Sequence, residues 1–205
     1  MQQRGAQFDR VIQSTVVASA ARDSHRISPD GIVYTSANVK IENSQFNLDL
    51  NNDGTTDFSI AEANNMYQIG CGGRGGPRYT EYGELSLAAE DSNGFEVNDG
   101  YAAKLIGGSL IGARQSFSSV KSWIEYRIAG YDEHCVFYHG EDGNWPPRSR
   151  GYLGLAFLID GKIHYGWAAM IVKGPPPPYG TFLYTTLKGY AYQTKVGKSI
   201  MAGQR

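Results

Sequence analysis

The sequence predicts an all-β fold in which two antiparallel sheets pack as a sandwich of the jelly-roll or lectin-like type. The first observation is composition: the 205 residues include 26 glycines and 14 tyrosines, and only 19% are charged. Glycine favours turns and tyrosine favours strands, whereas a helical bundle requires more Ala, Leu, Glu and Lys. The second observation is a succession of short alternating segments separated by turn residues, which is typical of antiparallel sheets. A single closed sheet is the alternative arrangement.

The first 28 residues differ from the rest and are predicted to form a leader that is either helical or disordered. Phe8, Val11, Ile12 and Val16 repeat at helical spacing, which favours a short N-terminal helix. The small residues that follow could instead belong to the end of a signal peptide, although the apolar stretch before them is short. We expect one domain over residues 29–205, because β-sandwiches of this length often form a single unit.

Two segments predict β-hairpins. Residues 46–50 and 58–60 alternate between apolar and polar side chains on either side of a loop rich in Asn, Asp and Gly. Later, apolar runs at 151–159 and 162–172 flank Asp160-Gly161, a favoured pair for a two-residue turn of type I′.

The middle of the chain contains one alternating strand and one glycine-rich loop. Residues 122–128 predict a strand with Trp123, Glu125 and Arg127 on one face and with isoleucines and Tyr126 on the other. Residues 70–76 satisfy the dinucleotide-binding pattern G-x-G-x-x-G, but Pro77 follows where the pattern needs a helix to begin. We therefore interpret them as a surface loop.

The loop of the first hairpin has the form D-x-N-x-D-G-x-x-D and predicts a calcium site. Oxygen-bearing side chains fall at positions 1, 3, 5 and 9 of a calcium-binding loop, and glycine at position 6 permits the sharp turn. Position 7 can supply a backbone carbonyl. Calcium binds hard oxygen ligands, and the absence of His and Cys disfavours zinc and copper. The predicted ligands are Asp49, Asn51, Asp53, Thr55 and Asp57.

This loop departs from an EF-hand in ways that set its expected affinity. Position 12 is Ile60, where an EF-hand has a bidentate Glu, and the flanking residues alternate like strands. We therefore expect a dissociation constant for calcium of about 10⁻⁴–10⁻³ M, as in extracellular modules. Such an affinity indicates a secreted, extracellular or periplasmic protein in which the ion is structural. The alternative is a plain polar hairpin with no ion.

Cys71 and Cys135 are the only two cysteines and are predicted to form a disulfide, because the other features indicate an oxidising compartment. Such a bridge would stabilise the fold by about 4 kcal/mol through loop closure. Two buried thiols are the alternative.

Several functional classes are disfavoured by the sequence. The net charge is −1 and the sequence contains no basic stripe that would favour nucleic acid. No apolar run reaches the length of a membrane span. The four histidines lack metal-site spacing, and no catalytic motif is present, so we expect a protein that is not an enzyme. A glycan-cleaving hydrolase is the less favoured alternative. Its candidate carboxylates are Glu81, Glu84, Glu90 and Glu125.

A carbohydrate-binding module is the main alternative, with an extracellular glycan or surface polymer as the partner. Aromatic rings displayed on a sheet can stack on sugar faces. The candidate rings lie in the late loops and strands: Trp145, Tyr179, Tyr190 and Tyr192. Tyrosine is also a normal strand residue, so these rings could instead belong to the core.

Several of these segments resemble a family of exported bacterial proteins of the PEP-CTERM-associated type. The resemblance rests on residues 48–58, Tyr165-Gly-Trp167, Gly189-Tyr-Ala-Tyr192 and residues 199–204, which are similar to the segment before the sorting tail of that family. It covers mainly residues 31–60 and 151–204, and the sorting tail itself is absent from the 205 residues. The resemblance implies an exported β-sandwich and no known reaction.

Overall fold

The computed structural model describes residues 26–70, 78–175 and 180–205, and it confirms the all-β sandwich of antiparallel sheets. The predicted N-terminal helix and most of the glycine-rich loop lie outside the described residues. None of the described residues forms a helix long and apolar enough to cross a membrane. The strands are β1 (Arg26–Ile27), β2 (Ile32–Ile41), β3 (Gln45–Leu48), β4 (Phe58–Ile69), β5 (Arg78–Ala89), β6 (Gly94–Asn98), β7 (Tyr101–Ala102), β8 (Leu110–Ile111), β9 (Phe117–Ser118), β10 (Ser122–Tyr131), β11 (Phe137–Gly143), β12 (Ser149–Ile159), β13 (Lys162–Lys173), β14 (Tyr184–Gln193) and β15 (Ile200–Met201).

The strands form two main sheets and one small one. The larger sheet has the order β1-β2-β14-β13-β12-β6-β7, with β9 pairing to β6. The smaller sheet has the order β11-β10-β5-β4-β3, and β8 pairs with β15 in a separate ribbon. All strand pairs are antiparallel, as the alternating sequence patterns predict.

Two apolar clusters hold the layers together. The main cluster lies between the two large sheets and includes Phe58, Leu85, Phe157 and Leu187, all fully or almost fully buried. The second lies on the opposite face of the larger sheet, where Ile111 and Ile200 of the small ribbon contribute to the same cluster as Trp167. Strand β13 is therefore buried on both faces, which explains why its sequence is apolar along most of its length.

The second predicted hairpin is confirmed. Strands β12 and β13 pair from Ser149↔Val172 to Ile159↔Lys162, so that Asp160 and Gly161 are the two turn residues. Their φ values are 50° and 71°, the left-handed pair that a type I′ turn requires.

The strand predicted at residues 122–128 is present, but a bulge changes its faces. The register of β10 against β5 shifts between Trp123 and Glu125, so that Ile124 and Glu125 are both buried. Trp123 remains partly exposed, whereas Glu125 and Arg127 are enclosed. The prediction that Trp123 shares a face with Glu125 and Arg127 is therefore wrong, since an inserted residue reverses the alternation.

Candidate functional site

The loop Asp49–Asp57 joins β3 to β4, which pair up to Leu48↔Phe58, so the first predicted hairpin is confirmed. Leu50 is fully buried and anchors the start of the loop in the main core. Asn52 and Gly54 have φ values of 59° and 92°, and these left-handed conformations bring the chain back toward β4.

Hydrogen bonds within the loop connect four of the five predicted ligand residues, Asp49, Asn51, Asp53 and Thr55. The Asp49 carboxylate accepts the backbone N–H groups of Asp53 (3.2 Å) and Gly54 (2.8 Å). The Asn51 amide donates to Asp53 Oδ2 at 2.8 Å, and Asp53 Oδ1 accepts the Thr55 backbone N–H at 2.8 Å. The loop is thus organised by its own side chains, as Asx-type turns are.

Asp57 is the buried end of the loop and connects it to both sheets. Its Oδ2 accepts the Leu50 backbone N–H at 2.7 Å, and its Oδ1 accepts the Asn93 side-chain amide at 3.2 Å. Asn93 in turn accepts the Leu158 backbone N–H of β12 at 3.0 Å. The loop from the smaller sheet is thereby tied to a strand of the larger sheet, and Asn93 is a contributor that the sequence patterns did not reveal.

The negative charges of the loop carboxylates repel one another. Burial is the main cause that raises the pKa of Asp57 to about 6; the negative charges of Asp49 and Asp53 act in the same direction, and the Leu50 and Asn93 donors oppose them. The hydrogen bond from Asn51, followed by that from Thr55, lowers the pKa of Asp53. Deprotonated Asp57 therefore adds a third negative charge to a crowded loop.

The donor set of the loop consists of oxygen atoms from carboxylates, one amide and one backbone carbonyl, which suits calcium rather than a soft metal. Within residues 26–70, 78–175 and 180–205, no group of three or more His, Cys, Asp or Glu side chains is arranged so that it could hold a metal ion. The calcium site stays a prediction.

The structure describes one of the two cysteines. Cys71 is outside the described residues, and Cys135 occupies a left-handed position with φ 63° before β11. The predicted Cys71–Cys135 disulfide therefore stays a prediction.

The structure places two of the four candidate sugar-binding rings in the interior. Trp145 is 0% exposed and Tyr190 is 5% exposed, so neither presents a face to solvent. Tyr192 is half-buried and packs edge-on against Phe157, while Tyr179 lies outside the described residues. Trp145 and Tyr190 are therefore core residues that cannot stack on a sugar, whereas Tyr192 is only partly covered.

Two acidic side chains of the smaller sheet, Glu125 and Glu62, are buried. Glu125, one of the candidate carboxylates of the hydrolase alternative, is 2% exposed and accepts the Trp145 backbone N–H at 3.1 Å. Glu62 was not predicted as a candidate at all, yet it is 3% exposed. Its neighbour two positions on, Asn64, donates to Glu62 Oε1 at 3.1 Å. Both carboxyls are enclosed, so neither faces a substrate cleft.

Comparison with known proteins identifies no relative: no family model, no curated protein and no solved structure matches this chain. The functional argument therefore rests on the fold and on the chemistry of its side chains.

Proposed function

We propose that the chain is a non-enzymatic, structural or surface-associated β-sandwich of an exported protein, in which one calcium ion rigidifies the loop Asp49–Asp57. The proposal rests chiefly on this loop, whose three carboxylates and one amide oxygen fall at the spacing of a calcium loop. The carbonyl of Thr55 and water would complete the shell.

The electrostatics of the loop support a bound cation. Burial is the main cause that raises the pKa of Asp57, and the negative charges of Asp49 and Asp53 add to it, as expected of like charges in one loop. A divalent cation among them would replace repulsion by attraction. Because Asp57 is also bonded to Asn93, the ion would stiffen the connection between the two sheets as well as the hairpin.

The expected affinity supports export. Without a bidentate Glu at position 12, the dissociation constant should be about 10⁻⁴–10⁻³ M, which is the range of extracellular modules. The enclosed position of Glu125 removes one of the four candidate carboxylates of the hydrolase alternative, because a catalytic carboxyl must reach its substrate.

Thermal unfolding tests this proposal. At calcium one hundredfold above the dissociation constant, the folded state should gain about 2.7 kcal/mol, which corresponds to a rise in Tm of roughly 5–10 °C for a domain of this size. Asp53→Asn should lose most of this rise, because one charged ligand becomes neutral. Asp99→Asn is the matched control, since Asp99 is an exposed turn residue outside the loop. An equal rise in Asp53→Asn, or none in the wild type, would refute the calcium site.

A further inference from the structure

A groove beside β9 combines aromatic and hydroxyl side chains, and none of the described residues that line it is charged. It has a volume of about 290 Å³ and lies between the turn before β6, the short strand β9 and the β12–β13 hairpin. We call it the β9 groove, and its lining includes Ser92, Phe117, Ser118, Ser119, Ile163 and Tyr165. Its volume is near the lower end of the roughly 300–1,000 Å³ typical of ligand pockets.

The aromatic part of the β9 groove is one half-buried ring supported by a buried one. The rings of Phe117 and Tyr165 lie 5.8 Å apart between centroids at an angle of 33°. Tyr165 is 5% exposed, so Phe117 is the ring that remains accessible, and Ile163 adds an exposed aliphatic side chain on the same hairpin. This side of the groove could therefore contact the flat apolar face of a ligand.

The polar part consists of hydroxyls. Ser92 and Ser119 are exposed, and Ser118 Oγ accepts the Val120 backbone N–H at 3.1 Å. A hydroxyl that accepts one hydrogen bond can still donate its own hydrogen. Among the residues that the structure describes, no Lys, Arg, His, Asp or Glu lines the groove, so a charged ligand would lose water without gaining a counter-charge.

The walls of the β9 groove are held by packing and by hydrogen bonds. A Cβ added at Gly94 would lie 3.3 Å from Phe117 Cβ, so glycine allows β9 to approach β6 closely. Asn93, another lining residue, is fixed between Asp57 and the Leu158 backbone. A site with fixed walls loses little entropy when it binds a ligand.

We propose that the β9 groove binds one neutral sugar unit of a glycan. A pyranose ring has an apolar C–H face and a rim of hydroxyls, which matches an aromatic ring and a set of serines that line the same groove. The lack of charged lining residues selects neutral sugars over uronic acids and sulfated glycans. This site is separate from the rings Trp145, Tyr190 and Tyr192, and it does not depend on bound calcium.

Calorimetric titration with soluble oligosaccharides tests the proposal. The probes are cello-, xylo-, manno- and malto-hexaoses, with polygalacturonate and heparin as acidic comparators, all in EDTA so that the result is independent of the calcium site. Phe117→Ala removes the accessible ring, and Ser119→Trp fills the groove from an exposed position without removing any core contact. Phe137→Ala is the matched control, because Phe137 is a half-exposed ring on the smaller sheet.

We expect at least one neutral oligosaccharide to bind, with affinity reduced about tenfold or more in Phe117→Ala and in Ser119→Trp, as for the loss of an anchoring residue. Phe137→Ala should bind as the wild type does. Ser119→Trp guards against a folding defect in Phe117→Ala, since Phe117 also packs on Tyr165. The proposal is overturned if no neutral probe binds at millimolar concentration, if only the acidic polymers bind, or if Ser119→Trp binds normally.

Discussion

Glu62 and Glu125 should make the fold more stable in mild acid than in mild base. They lie on β4 and β10, and both face the interior across Leu85 of the strand between them. Burial is the main cause that raises the pKa of Glu62 to about 7, although Asn64 and other donors oppose it. Burial likewise raises the pKa of Glu125 to about 7, with Glu141 adding to the effect and the Trp145 N–H and Arg127 opposing it.

The sign of the effect follows from proton linkage. An acid whose pKa is higher in the folded state holds its proton more tightly there, so the free energy of unfolding falls as pH rises from the ordinary value of 4.5 to about 7. At about 1.4 kcal/mol per pKa unit, each carboxyl should remove about 2–3 kcal/mol between pH 5 and pH 8. Together they should remove about 5 kcal/mol.

Urea denaturation in EDTA at pH 5, 6, 7 and 8, followed by the fluorescence of the buried tryptophans, measures this loss. Glu62→Gln keeps the shape of the protonated carboxyl, so it should be more stable than the wild type at pH 8 and should lose about half as much stability over this range. Glu84→Gln, on the outer face of the same sheet, is the control. A wild-type free energy that is flat or rises with pH, or an unchanged slope in Glu62→Gln, would refute the reasoning.

Three further predictions concern the loop and the inter-sheet packing. The calcium-induced rise in Tm should shrink as pH falls below about 6, because protonated Asp57 is a poor ligand; a rise of equal size at pH 5 would contradict this. Asn93→Ala should lower the free energy of unfolding by about 2–3 kcal/mol in denaturant titrations, since it leaves buried partners unpaired, and a cost below about 0.5 kcal/mol would disprove the connection. Gly83→Ala should cost about 1–3 kcal/mol by the same assay, because its Cβ would lie 2.3 Å from the Thr181 carbonyl oxygen. Gly140→Ala, whose Cβ meets only a side-chain methyl at 3.6 Å, should cost less, and equal losses would count against the packing argument.

The parts of the fold that depend on local patterns could be predicted from the sequence. Alternating side chains predicted the strands on either side of the loop Asp49–Asp57. The pair Asp160-Gly161 predicted the turn between β12 and β13. Both signals act between neighbours in sequence, so no knowledge of the packed structure is needed to read them.

The parts that depend on packing could not be predicted. The bulge after Trp123 turns Glu125 inward, and only the register against β5 reveals it. The small ribbon of β8 and β15 belongs to the cluster on the second face of the larger sheet, which is why aromatic residues such as Trp167 are core residues. Asn93 joins the loop across 36 positions of sequence, and no short motif signals such a contact.

The central claim is that the loop Asp49–Asp57 holds one calcium ion, and calorimetric titration of metal-free protein with calcium chloride at pH 7.5 tests it most directly. We predict one ion per chain with a dissociation constant of about 10⁻⁴–10⁻³ M, and binding that is lost or strongly weakened in Asp53→Asn but retained in Asp99→Asn. Absence of binding in the wild type, or binding that survives unchanged in Asp53→Asn, would contradict the account.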